Sequence, residues 1–86
     1  MPTTTNGNRL ELVRESSGLR HFLAGRPVHA ADGLEIQFEA GVWIPGRYEW
    51  SFREGTRPLL YLGLAGGSLA CFEIPETALL RWPSER

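Results

Sequence analysis

Residues Gly33 to Arg53 constrain the fold more than any other stretch of the chain. Leu34, Ile36 and Phe38 alternate there with Glu35, Gln37 and Glu39. After a short Gly-containing turn, Tyr48, Trp50 and Phe52 alternate with Arg47, Glu49, Ser51 and Arg53. A β-strand sends successive side chains to opposite faces, so the stretch reads as a hairpin with one apolar and one charged face.

The flanking segments repeat that logic in shorter pieces. Residues 1–8, MPTTTNGN, are small and polar and read as a disordered arm, leaving 9–86 as a single β domain. A first hairpin over residues 9–24 puts Leu19, His21 and Leu23 on one face and Arg20, Phe22 and Ala24 on the other. Gly25-Arg26-Pro27 then breaks the pattern, since proline cannot donate to a central ladder. Residues 28–32 read either as a short strand or as a connection. Leu59 to Leu64 is nearly all apolar, as in a strand buried on both faces, and Leu69 to Ile74 forms the next strand. Pro75 to Leu80 has room for one helical turn, and residues 79–82 return as a last strand. The expected class is all-β: a small SH3-like barrel or a compact antiparallel sheet of about five to seven short strands, with at most one short helical turn near 75–80.

The chain's 86 residues hold one small core, and a formal net charge of -1 argues against a dominant phosphate-binding surface. All nine basic residues are arginine, which fits either a GC-rich coding bias or a use for forked hydrogen bonds. The single cysteine, Cys71, excludes an internal disulfide and a cysteine-rich zinc site. The start of the chain lacks a signal-peptide pattern, and no run approaches the roughly 20 apolar residues of a membrane span. A cytoplasmic protein with no membrane contact is expected.

Trp43 decides where a site could lie. Uninterrupted alternation turns Trp43, Pro45, Arg47 and Glu49 outward, with Trp43 about 13 Å from Arg47 along the strand. A bulge at Pro45-Gly46 would instead turn Trp43 into the core. An outward Trp43 with Arg47, Glu49, Arg53 and Arg57 makes an aromatic-and-arginine surface of the kind interfaces favour. The plainer reading of the arginines is a solvated face paired with Glu35, Glu39 and Glu49.

Other chemistry is thinly represented. His21 and His29 have no ligand at metal-binding spacing, and Cys71 sits in an apolar run with no base beside it in sequence. Glu35 and Glu49 could meet across the hairpin as a carboxylate pair, though alternating faces produce such pairs routinely. No metal, cofactor or catalytic role is expected.

Gly33-Leu34-Glu35-Ile36, Trp43-Ile44-Pro45-Gly46-Arg47-Tyr48-Glu49, Tyr61-Leu62 and Arg81-Trp82-Pro83 together carry a resemblance. Across residues 27–83, about two-thirds of the chain, it resembles a family of small β domains of unknown function. Such domains are encoded on bacterial plasmids, phages and other mobile elements. The resemblance implies a compact β domain in a mobile-element or defence setting, and brings no catalytic residues or ligand.

The functional expectation is a non-catalytic protein-interaction module, an accessory or inhibitor acting by steric binding. The alternative is a nucleic-acid-binding β surface using Trp43, Arg47 and Arg53. The apolar run 59–64 and the two-sided first hairpin leave two outcomes: a homodimer, or coverage of both faces within one chain.

Overall fold

The computed structural model describes residues 7–83. Strands β1 (Glu11–Glu15), β2 (Gly18–Leu23) and β3 (Arg26–Pro27) form a three-stranded antiparallel sheet in that order. Strands β4 (Gly33–Glu39), β5 (Val42–Glu49), β6 (Leu59–Gly63), β7 (Leu69–Glu73) and β8 (Leu80–Arg81) form a second sheet, ordered β7-β6-β5-β4-β8. Five residues of the expected central hairpin's register run without a break, from Gly33↔Arg47 to Gln37↔Trp43.

The all-β class is present, but as eight strands in two sheets and not as a closed barrel. The space that a small barrel fills with its own side chains is here occupied by the first hairpin. His21, Leu23 and Val28 enter the core against Leu34, Ile36, Tyr48, Trp50, Leu60, Ile74 and Leu80. The short helical turn lies at Ala65–Gly67 instead of 75–80. Pro75 closes a hydrogen-bonded turn, with the Ala78 amide donating to its carbonyl at 3.1 Å.

Pro27 does not end the first sheet; it sits inside β3. The Val28 amide donates to the His21 carbonyl at 2.9 Å. That sets the ladder's parity so that Phe22↔Pro27 is a non-hydrogen-bonded pair. The missing N–H therefore points away from β2, on an edge strand, where it costs no ladder bond. The turn leading into β3 has Ala24 and Gly25 both in the left-handed region (φ 53° and 79°), as a two-residue hairpin turn matched to strand twist requires.

Three apolar expectations change at the edges of the pattern. β5 ends at Glu49, so Trp50 stays in the core while Phe52 adopts φ 65° and is exposed. A bulge at Gln37/Glu39 lifts Phe38 out of register, and Phe38 is 66% exposed. Leu60 is fully buried, but Leu59, Tyr61 and Leu62 are only half-buried, so β6 is not covered on both faces. The expected disordered arm falls mostly on residues 1–6, which lie outside the described residues; its last residue, Asn8, exchanges two 2.8 Å backbone hydrogen bonds with Leu80.

The two sheets are joined by polar links inside an apolar core. His21 Nδ1 and the Tyr48 hydroxyl are hydrogen-bonded at 2.8 Å, and the imidazole packs 4.3 Å from the Trp50 ring. Trp82 donates its indole N–H to the Leu23 carbonyl at 2.9 Å while Arg26 lies over the ring. Burial, helped by the nearby Arg57 guanidinium, lowers the His21 pKa from 6.5 to about 4. The unfolded imidazole binds its proton near pH 6.5 and the folded one near 4, so the unfolded chain holds the extra proton between those values. Acid in that window should therefore weaken the fold, by on the order of 1–3 kcal/mol. Denaturant melts at several pH values should show a steeper loss from pH 6.5 to 4 in the wild type than in His21→Gln; equal slopes would show that His21 does not carry it.

Candidate functional site

The outer face of the five-stranded sheet is the candidate site, because the first hairpin covers only its inner face. Register places Trp43, Pro45, Arg47 and Glu49 of β5 on that outer face, opposite Gln37, Glu35 and Gly33 of β4. Tyr61 of β6 stands across from Arg47, and Cys71 of β7 across from Tyr61. Of the two readings that alternation allowed, the outward Trp43 is the one adopted. The bulge that would have inverted it does not form at Pro45-Gly46, which pairs regularly with Glu35 and Leu34; the register shift of this hairpin lies between Gln37 and Glu39, beyond the Gln37↔Trp43 pair.

Trp43 is nonetheless half-buried, because its face is covered. The Arg81 guanidinium lies 4.3 Å from its ring centroid, and Arg81 Nε donates to the Glu35 carboxylate. Arg81 reaches both because β8 pairs with β4 and sets Arg81 directly across from Glu35. The chain also passes close to the indole edge at Gly7, where a Cβ would come 2.6 Å from Trp43 Cη2. A second aromatic–arginine pair lies on the same face, with Arg47 5.2 Å from the Tyr61 ring centroid and 3.2 Å from Glu49. The Tyr61 hydroxyl is held above its usual pKa, first by its hydrogen bond with the Cys71 thiol. Pro45 lies between the two pairs. Gly33, across from Arg47, and Gly63, across from Leu69, leave their outer-face positions without side chains.

The remaining predicted site residues lie elsewhere. Arg53 is exposed in the loop after β5, where its carbonyl accepts from Thr56 Oγ1 at 2.6 Å. Arg57 turns the other way, with Nε and Nη2 donating to the Ile74 carbonyl at 2.9 and 2.8 Å. The register supplies the reason. The Ile74 amide donates to the Pro58 carbonyl at 2.8 Å, and the return bond needs an N–H that proline lacks. Arg57 supplies that bond from its side chain. It holds the sheet together and is no part of the outer face.

The carboxylate pair does not form. Glu35 pairs in register with Pro45 and binds Arg81, while Glu49 takes Arg47. Among the described residues, no group of His, Cys, Asp and Glu is placed to hold a metal ion. Among the same described residues, no helix is long and apolar enough to cross a membrane. Sequence reasoning placed Glu35 on this face but missed Arg81 and Tyr61 as its components. Arg81 follows Leu80 in a two-residue strand too short to show alternation, so its face could not be read. Comparison with family models, curated proteins and solved structures finds no match.

Arg81→Ala should lower stability by about 1–2 kcal/mol, since it uncovers Trp43 and leaves Glu35 without its partner. Arg81→Lys should restore only part of that, because the fork and the planar stack are both lost. Chemical denaturation of the three proteins decides it, and full rescue by lysine would reduce the contact to simple charge. In the same assay Arg57→Met should cost about 1–3 kcal/mol by orphaning the Ile74 carbonyl.

Proposed function

We propose that the protein is a non-catalytic protein-interaction module that binds through the outer face of its five-stranded sheet. The observation that carries this reading is the paired Trp43–Arg81 and Arg47–Tyr61 stacks flanking Pro45 on a face that, among the described residues, no other layer covers. Aromatic and arginine side chains held in place by the fold lose little entropy on binding, and these residue types dominate interface energetics. The acids are interleaved with the bases: Glu35 is engaged by Arg81 and Glu49 by Arg47. Such a face has little net positive charge to release counterions from a nucleic-acid backbone, which favours a protein partner. Steric occupation of a partner's surface, as an accessory or inhibitor in a mobile-element setting and in the cytoplasm, is the role that goes with this reading.

The test is affinity capture from host lysate, with and without nuclease, comparing wild type with Arg47→Ala/Tyr61→Ala. Arg47 is exposed and Tyr61 only partly buried, so the double variant should stay folded by thermal melting. A stoichiometric protein should be recovered despite nuclease, and its yield should fall at least tenfold in the variant. Nuclease-sensitive recovery would transfer the face to nucleic acid. Recovery unchanged by the substitutions would remove the function from this face.

A further inference from the structure

The geometry points to a second binding site, distinct from the Trp43–Arg81 and Arg47–Tyr61 pairs: a groove along the edge strand β7 that takes an extended peptide as an added strand. It extends the reading of the chain as a binding module to a different surface. β7 is the edge of the larger sheet, and its hydrogen-bond parity can be read from the bonds at its ends. The Leu64 amide donates to the Ser68 carbonyl and the Ile74 amide to the Pro58 carbonyl, each at 2.8 Å. Alternation then turns the backbone groups of Ala70 and Phe72 toward β6 and those of Leu69, Cys71 and Glu73 outward. Among the described residues no backbone hydrogen bond meets that outward row.

Beside this edge lies an open groove of about 480 Å³, within the size range of ligand sites. Ile36 and Phe38 of β4 line one side, Phe72 and Glu73 of β7 the other, with Pro75 and Ala78 between. β4 and β7 are separated in the sheet by β5 and β6, so the sheet must curl to bring them to one groove. β8 pairs with β4 at Glu35 and Ile36, and the Gln37 amide donates to the Leu79 carbonyl at 3.0 Å, so the pairing stops one residue short of Phe38. The groove is thus the seam where the sheet fails to close, and the 66% exposure of Phe38 is a consequence of that failure.

A strand added to β7 would alternate its side chains between two environments. One set would lie beside Phe72 and Phe38. The other would lie beside the exposed row Leu69, Cys71 and Glu73. Among the described residues, Glu73 is the only charged side chain lining the groove, and Glu76 follows in the adjoining turn. The occupant is therefore an extended segment alternating bulky apolar with basic residues. A second copy of β7 fits less well. Pairing it antiparallel about Cys71 would set Glu73 against Leu69, an acid with no base opposite.

The probe is a fluorescein-labelled octapeptide alternating arginine or threonine with valine or phenylalanine, followed by fluorescence anisotropy. Its controls are an isomer scrambled to destroy the alternation and a counterpart with glutamate in place of arginine. Saturable binding of the alternating basic peptide is expected, at least tenfold tighter than either control. Phe38→Ser, at an exposed position, and Cys71→Pro, which removes one outward N–H and no ladder bond, should each weaken it at least tenfold. Glu73→Arg should reverse the preference between the two charged peptides. Arg47→Ala, on β5 two strands away from β7, should leave binding unchanged, which separates this site from the Trp43 and Arg47 surface. Equal binding of the scrambled peptide, or binding indifferent to both Phe38→Ser and Cys71→Pro, would overturn the inference. So would a doubled mass in light scattering that Cys71→Pro abolishes, since the edge would then belong to a second copy.

Discussion

The contact between His21 and Tyr48 is the one on which the two-sheet arrangement depends. Each sheet alone has one apolar face and would be marginal in water. Their union is a thin core in which an imidazole and a phenol must both be buried, and each satisfies the other. Burial raises the Tyr48 pKa well above its usual value and lowers that of His21, so both stay neutral through the ordinary pH range. A charged partner in this position would have to be desolvated, at a cost that a domain this small could not offset.

Around that contact, the structure repeatedly uses side chains to do what the backbone cannot. Pro58 removes a ladder donor and Arg57 replaces it. Trp50 ties down the loop after β5 through Thr56, and Trp82 fastens the last strand to Leu23 across the sheets. The three tryptophans thus have three separate duties: loop anchor in the core, rivet between sheets, and exposed-face platform beneath Arg81. Trp43 and Trp82 are both half-buried beneath an arginine, but Trp43 lies on the outer face of the larger sheet while Trp82 turns to the first sheet, which is why the candidate interface gathers around Trp43.

Most of the fold was legible where side chains alternate over several residues. The central hairpin, the shared face of His21 and Leu23, the core places of Tyr48 and Trp50 and the strands within 59–64 and 69–74 all follow from period-two patterning. What was not legible depends on long-range register. The Phe38 bulge, the Ile74–Pro58 mismatch that recruits Arg57, and the alignment of Arg81 with Glu35 each involve partners that sequence does not pair. Of the five expected site residues, Trp43, Arg47 and Glu49 share one face because they share one strand. Arg53 and Arg57 do not, because a loop intervenes and alternation says nothing across it.

The reciprocal bonds between Asn8 and Leu80 bring the two ends of the described domain to one place. A domain that is entered and left at a single point can be spliced into a surface loop of another protein without prying its sheets apart. The same geometry allows its ends to be joined and new ones opened at the exposed Glu54-Gly55 turn. Its order along the chain is therefore a matter of convenience, and the sheets would keep their neighbours under a different one.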